Sequence, residues 1–109
     1  MTLKDVATML NGITGFAGKV TYRYWEQGKA PALPYICYYS PGVETFGADD
    51  KVYHSITDAT IELYSRRKDT TSEALIEATL DAANLYYTKT ETFIESEKAE
   101  LVTYEIEVE

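Results

Sequence analysis

The sequence predicts an α+β domain: a mainly antiparallel sheet of about five strands with two helices, in the order helix, three strands, helix, two strands. Three observations carry this. Apolar residues recur at helical spacing in residues 2–11 and 70–84, and period-two alternation dominates the stretches between and after them. Strands also come in runs rather than alternating singly with helices, as a parallel βαβ sheet requires. A chain of 109 residues buries roughly 65% of its unfolded surface as one domain and is too short for two cores, so residues 1–109 are read as a single domain.

The elements follow in chain order. Leu3, Val6, Met9 and Leu10 mark an opening amphipathic helix, with Thr2 placed to cap it and Asp5 in the first turn, where the helix dipole favours an acid. Gly12, Gly15 and Gly18 punctuate the chain before Val20–Trp25, which alternates as strand one. Gln27–Pro34 is a loop whose prolines cannot donate ladder bonds. Tyr35–Tyr39 reads as strand two, ended by Pro41-Gly42, and Gly42–Lys51 reads as a polar loop carrying the aromatic Phe46.

Val52–Ser65 is a long third strand whose apolar parity changes. Val52, His54 and Ile56 share one face, Ala59, Ile61 and Leu63 the other, which predicts a bulge or bend near Thr57-Asp58. After the charged turn Arg66-Arg67-Lys68-Asp69, Thr70 and Glu73 have capping-box spacing, and a second helix runs to about Asn84. Leu75, Ile76, Ala78, Leu80, Ala82 and Ala83 form its expected buried stripe. Glu73, Glu77 and Asp81 lie four apart on the other side, as a solvated row or one awaiting a basic partner. Tyr86–Ile94 and Leu101–Val108 are the last strands, joined through Glu95–Lys98. In the final one Val102, Tyr104, Ile106 and Val108 oppose Thr103, Glu105, Glu107 and Glu109.

Charge and composition narrow the function. A net charge of -8 repels phosphate backbones, so direct nucleic-acid binding is not expected, and basic protein surfaces are favoured partners. No apolar run reaches the roughly 18 residues of a membrane span, and Met1–Asp5 lacks the apolar start of a secretion signal, so a cytoplasmic product is expected. Cys37 is the single cysteine and can form neither an internal disulfide nor a zinc site alone. Ten tyrosines point to strands and protein interfaces, where an apolar ring carries a polar tip.

Catalytic signatures are wanting. The single histidine, His54, sits between Val52 and Ile56 as a sheet residue, with no base–nucleophile spacing around it. Asp49-Asp50 with Glu44 lacks the acidic spacing of a calcium loop, and Gly15-Phe16-Ala17-Gly18 lacks the lysine of a phosphate loop. No enzyme activity, cofactor or metal is expected. Candidate protein-contact residues are Tyr22, Tyr24 and Trp25 on strand one, Phe46, Asp49 and Asp50 in the loop, and Glu105 and Glu107 on the final strand.

Several stretches resemble a protein family. They are Ala32-Leu33-Pro34-Tyr35-Ile36, Thr45-Phe46-Gly47-Ala48-Asp49 leading into Lys51-Val52-Tyr53-His54, Ile61-Glu62-Leu63-Tyr64, and Phe93–Lys98 with Tyr104-Glu105-Ile106. In this order they look like the small tail-completion, or tail terminator, proteins encoded in the neck and tail gene clusters of long-tailed phages and prophages of Gram-positive bacteria. The resemblance implies a hexameric ring on the virion that caps the tail tube, with the tube protein and head–tail connector as partners. DNA would only pass its lumen, and a negatively charged lumen would let it slide. A head-closure adaptor of the neck and a small acidic inhibitor that mimics DNA remain alternatives.

Overall fold

The computed structural model describes residues 2–48 and 51–108, and the side chains of 2–41 and 58–108. Its first helix, α1 (Leu3–Asn11), is fixed by a reciprocal capping box. Asp5 N–H donates to Thr2 Oγ1 at 3.3 Å while Thr2 N–H donates to Asp5 Oδ2 at 2.8 Å. The Thr2 N–H donating to it, and then the Thr2 hydroxyl beside it, hold the Asp5 carboxyl below its ordinary pKa. Tight turns follow, with Gly15 and Gly18 at φ 89° and 77°, a region L side chains rarely enter.

The strands are β1 (Val20–Tyr22), β2 (Tyr35–Ala48), β3 (Lys51–Ser65), β4 (Thr88–Ile94) and β5 (Ala99–Val108), with α2 (Thr70–Ala82) between β3 and β4. They form one sheet in the order β1-β2-β3-β5-β4, antiparallel except for the β1–β2 pair. The α+β class and the element order are those expected from the sequence.

Both helices lie on one face. Val6 and Leu10 of α1 and Ile76 and Leu80 of α2 share a single core with Ile36, Ala59, Ile61, Leu63, Val102, Tyr104, Ile106 and Val108. Register explains the selection: Ile36 faces Leu63, Leu63 faces Val102 and Ile61 faces Tyr104, and directly opposed residues point to the same side. A one-residue slip in β5 would exchange Val102 and Tyr104 for Thr103 and Glu105.

Several boundaries differ from expectation for local reasons. Strand one stops at Tyr22, because Arg23 takes a left-handed φ of 69°, held by its N–H donating to Tyr38 O at 2.7 Å. Strand two does not stop at Pro41-Gly42; it continues to Ala48, and the segment expected to be a loop becomes paired strand. Proline is tolerated there because β1 pairs with β2 only from Ile36 to Tyr38, so the missing N–H lies on an edge without a second partner. The bulge expected near Thr57-Asp58 falls on the partner strand: the register shifts between Tyr39 and Gly42, while β3 keeps unbroken register with β5 from Thr57 to Ser65.

The second helix is capped by Asp69, not by Thr70. Asp69 accepts from Ser72 N–H at 3.0 Å and from Ser72 Oγ at 2.8 Å, which frees Glu73 for another role. At the other end, Asn84 at φ 58° closes a Schellman turn, with Leu85 N–H donating to Leu80 O and Asn84 N–H to Asp81 O. The expected buried stripe is narrower than its composition: Ile76 and Leu80 are buried, whereas Leu75, Ala78 and Ala82 face outward.

Candidate protein-binding surfaces

The sheet face opposite the helices is not covered by either helix. Register assigns to it Tyr35, Cys37 and Tyr39 of β2, Asp58, Thr60, Glu62 and Tyr64 of β3, and Leu101, Thr103, Glu105 and Glu107 of β5, with Thr88, Thr90 and Thr92 of β4. One half is aromatic. Trp25 packs edge-on against Tyr35 at 5.9 Å between ring centroids, and Tyr35 tilts against Tyr64 at 5.3 Å. Tyr64 Oη donates to Glu62 at 3.0 Å. Burial raises the Glu62 pKa against that bond, and raises the Tyr64 phenol together with the neighbouring Glu62 charge.

Cys37 is buried on the same face, opposite Glu62, and burial pushes its thiol up to about 11, with the Glu62 charge adding to the effect. Its thiolate at neutral pH is therefore scarcer than that of a free cysteine by roughly 100-fold, and alkylation by iodoacetamide is expected to be slower by about 10²-fold in the native protein than in urea. Equal rates in the two states would show the thiol to be open. His54 pairs with Phe46 and Cys37 with Glu62, eight residues further along β3, a separation of about 26 Å. The two do not form a catalytic pair.

The other half of the open face is acidic. Asp58 stands directly opposite Glu107, and Glu105 stands between Thr60 and Thr88. Like charges in register repel, and among the described residues no strand places a lysine or arginine on this face. A cleft of about 400 Å³ runs past these carboxylates, lined also by Pro41 and by Tyr86, which is 96% exposed.

The residues singled out from sequence divide between several places. Tyr22 and Tyr24 are exposed at the β1 rim, Tyr24 by 68%, and Trp25 is half-buried on Tyr35. Tyr22 stacks edge-on against Tyr38 at 5.2 Å, and the Arg23 guanidinium lies over the Tyr22 and Tyr39 rings. Glu105 and Glu107 are exposed, as their alternation suggested. Asp49 and Asp50 lie outside the described residues, as do the side chains of Phe46 and His54; the Phe46 backbone belongs to β2. There β2 and β3 pair with each other from Val43 to Ala48 and from Lys51 to Ile56 beyond the end of β5, as a two-stranded arm.

The acidic row of α2 divides: Asp81 is exposed, whereas Glu73 and Glu77 are not on a solvated side. Glu73 is only 3% exposed and Glu77 half-buried, both turned toward the β4 edge. Lys89 Nζ donates to Glu77 Oε2 at 2.7 Å and lies 2.8 Å from Glu73 Oε1, while Lys68 reaches Glu73 at 2.9 Å and also pairs with Glu91. Tyr104 Oη completes the cluster by donating to Glu77 Oε2 at 2.8 Å. Burial raises the Glu73 pKa, but the lysine bonds outweigh it and hold the carboxyl below its ordinary value; Glu77 is lowered chiefly by Lys89 and also by Tyr104. Of the two readings of this row, a basic partner holds for Glu73 and Glu77, where it comes from the same chain, and solvation for Asp81. The legible signal was Lys89 at a strand position whose neighbours are threonine.

Among the described residues no cluster of histidine, cysteine and carboxylates could hold a metal ion, and no helix is long and apolar enough to cross a membrane. The surfaces that stand out are therefore an open sheet face, two sheet edges and an arm. Compared with family models and with curated proteins, the chain finds no match in either set.

Proposed function

We propose that the chain is a structural assembly protein of a long-tailed phage, a tail terminator or tail-completion protein that caps the tail tube as a ring and helps join tail to head. In this reading it acts by binding proteins and turns over no substrate. The observation that carries it is the geometry of the sheet: one face is left open by the helices, and the β2–β3 arm pairs only with itself among the described residues. A two-stranded ribbon is marginal alone in water, and an open face with aromatic and acidic halves fits a neighbouring protein better than solvent. The stretches that resemble tail-completion proteins agree with such a use. The chain would work in the host cytoplasm during assembly and end in the virion neck, between tube protein and connector, with DNA passing its lumen.

Purified protein incubated with tail tubes and, separately, with filled heads tests this by electron microscopy. Rings at one end of the tubes are expected, and particles lacking the chain should show unjoined heads beside tails of abnormal length. Binding to heads alone would make the chain a head-closure adaptor. Binding to neither, with normal particles in its absence, would remove the assembly reading altogether.

A further inference from the structure

Among the described residues no lysine or arginine forms an ion pair with the carboxylates at the acidic end of the open face. Asp58, Glu105 and Glu107 line one cleft, and Asp58 and Glu107 are opposed in register at an energetic cost to the isolated protein. The nearby Arg23 is spent on the rings of Tyr22 and Tyr39. Beside the carboxylates stands the Tyr86 ring, 96% exposed. Carboxylates flanking an open aromatic ring are the chemistry that suits a guanidinium, which takes bidentate hydrogen bonds in its plane and stacks through its face.

The same chain presents that ligand elsewhere. Arg66 and Arg67 are both exposed in the turn after β3, and among the described residues neither forms an ion pair within 4.0 Å. The adjacent Asp69 carboxylate is engaged by Ser72, and Lys68 by Glu73 and Glu91. Asp58 lies midway along β3, level with the end of β5, and Arg66 follows the last residue of β3, eight residues and about 26 Å further along. That distance is about three times the screening length of about 8 Å at physiological salt, so Asp58 and Arg66 do not neutralise each other within one molecule.

We propose that a second copy of this chain docks head-to-tail, its Arg66-Arg67 turn entering the cleft formed by Asp58, Glu105, Glu107 and Tyr86. Each copy offers both surfaces, so the contact repeats, closing a ring or continuing as an open stack. The inference rests on the ring reading above for closure and deepens it by naming the two surfaces.

The test is charge exchange on the full chain. R66E/R67E carries acids at both ends, and E105R/E107R carries bases at both; all four positions are exposed or on the open face, and melting curves check that each variant folds. Sedimentation velocity and native mass spectrometry at low salt, with and without tail tubes, read the assembly. Wild type should assemble with concentration and weaken as salt rises. Each variant alone should need at least about tenfold more protein. An equal mixture of the two should recover assembly, because each now supplies the surface that the other lacks. Assemblies that survive both reversals, or folded variants that do not recover on mixing, overturn this contact while leaving the ring intact. Wild type that stays monomeric throughout, on tubes as well as free, overturns the contact and the ring together. Assembly only on addition of another basic protein, insensitive to the Arg66-Arg67 reversal, gives the cleft to a foreign partner and overturns the second-copy assignment.

Discussion

Replacing Lys89 by methionine is expected to lower folding stability by about 2 kcal/mol at pH 7, a drop of roughly 10 °C in melting temperature for a chain of this size. Lys89 sits between two carboxylates, 2.8 Å from Glu73 and 2.7 Å from Glu77, and Glu73 is buried. Breaking a buried pair by removing one partner costs about 3–5 kcal/mol, because the remaining charge is left unpaired in a poor solvent. The figure is smaller here because Lys89 keeps some solvent contact and Lys68 still reaches Glu73 at 2.9 Å. The double replacement Glu73→Met with Lys89→Met removes the stranded charge as well, so it should cost less than Lys89→Met alone. Urea unfolding of the four members of this cycle measures the coupling; strict additivity would mean that the cluster contributes nothing as a unit.

The same cluster fixes the direction of the pH dependence. Glu73 and Glu77 have folded pKa values below the ordinary 4.5, so their contribution is complete above that value and is lost as pH falls through the lower folded values. Lys89 is raised by its bonds to Glu73 and Glu77, so its share is present up to its ordinary 10.5 and is lost above it. The acid limb of the stability curve should therefore be steeper in wild type than in Glu73→Gln.

Where local chemistry and tertiary context agreed, the fold could be read directly. Thr2 as the cap of α1, the strict alternation of β5 and the turn at Glu95–Lys98 each rest on residues close in sequence, although the reading from sequence does not include the reciprocal bond from Thr2 N–H to Asp5. The failures have a different origin. Pro41-Gly42 is a stop only if both edges of a strand are paired, and whether β1 extends that far depends on Arg23, a residue with no sequence mark of a left-handed backbone. The row Glu73, Glu77, Asp81 reads from sequence as solvated or awaiting a basic partner, because spacing on the helix does not show that Lys68 of the preceding turn and Lys89 of β4 fold onto Glu73 and Glu77. Apolar composition widens the expected stripe to Leu75, Ala78 and Ala82, yet of the helix's apolar side chains only Ile76 and Leu80 are buried against the sheet. Of the candidate surface, Glu105 and Glu107 were legible from alternation, whereas Asp58 was assigned to a bend. Only the register that sets it against Glu107 makes it part of the same acidic end.

A series at Tyr104 separates what the ring does from what the hydroxyl does. Tyr104 is fully buried at the centre of the core, in T-shaped contact with Tyr87 at 5.5 Å between centroids, and its hydroxyl donates to Glu77. Tyr104→Phe keeps the packing and removes one hydrogen bond to a charged acceptor, worth about 1.5–3 kcal/mol; because Lys89 still holds the same oxygen, the low end is expected. Tyr104→Ala also empties the core position opposite Ile61 and should cost about 4 kcal/mol, as deleting a buried aromatic does. Against a total of about 5–15 kcal/mol, the first variant remains folded and the second approaches the unfolding threshold at 37 °C. Denaturant titration of both gives the answer. Equal losses would place the stabilisation in the Glu77 bond, whereas a loss confined to Tyr104→Ala would place it in the packed ring and leave the ion cluster to orient α2 over β4.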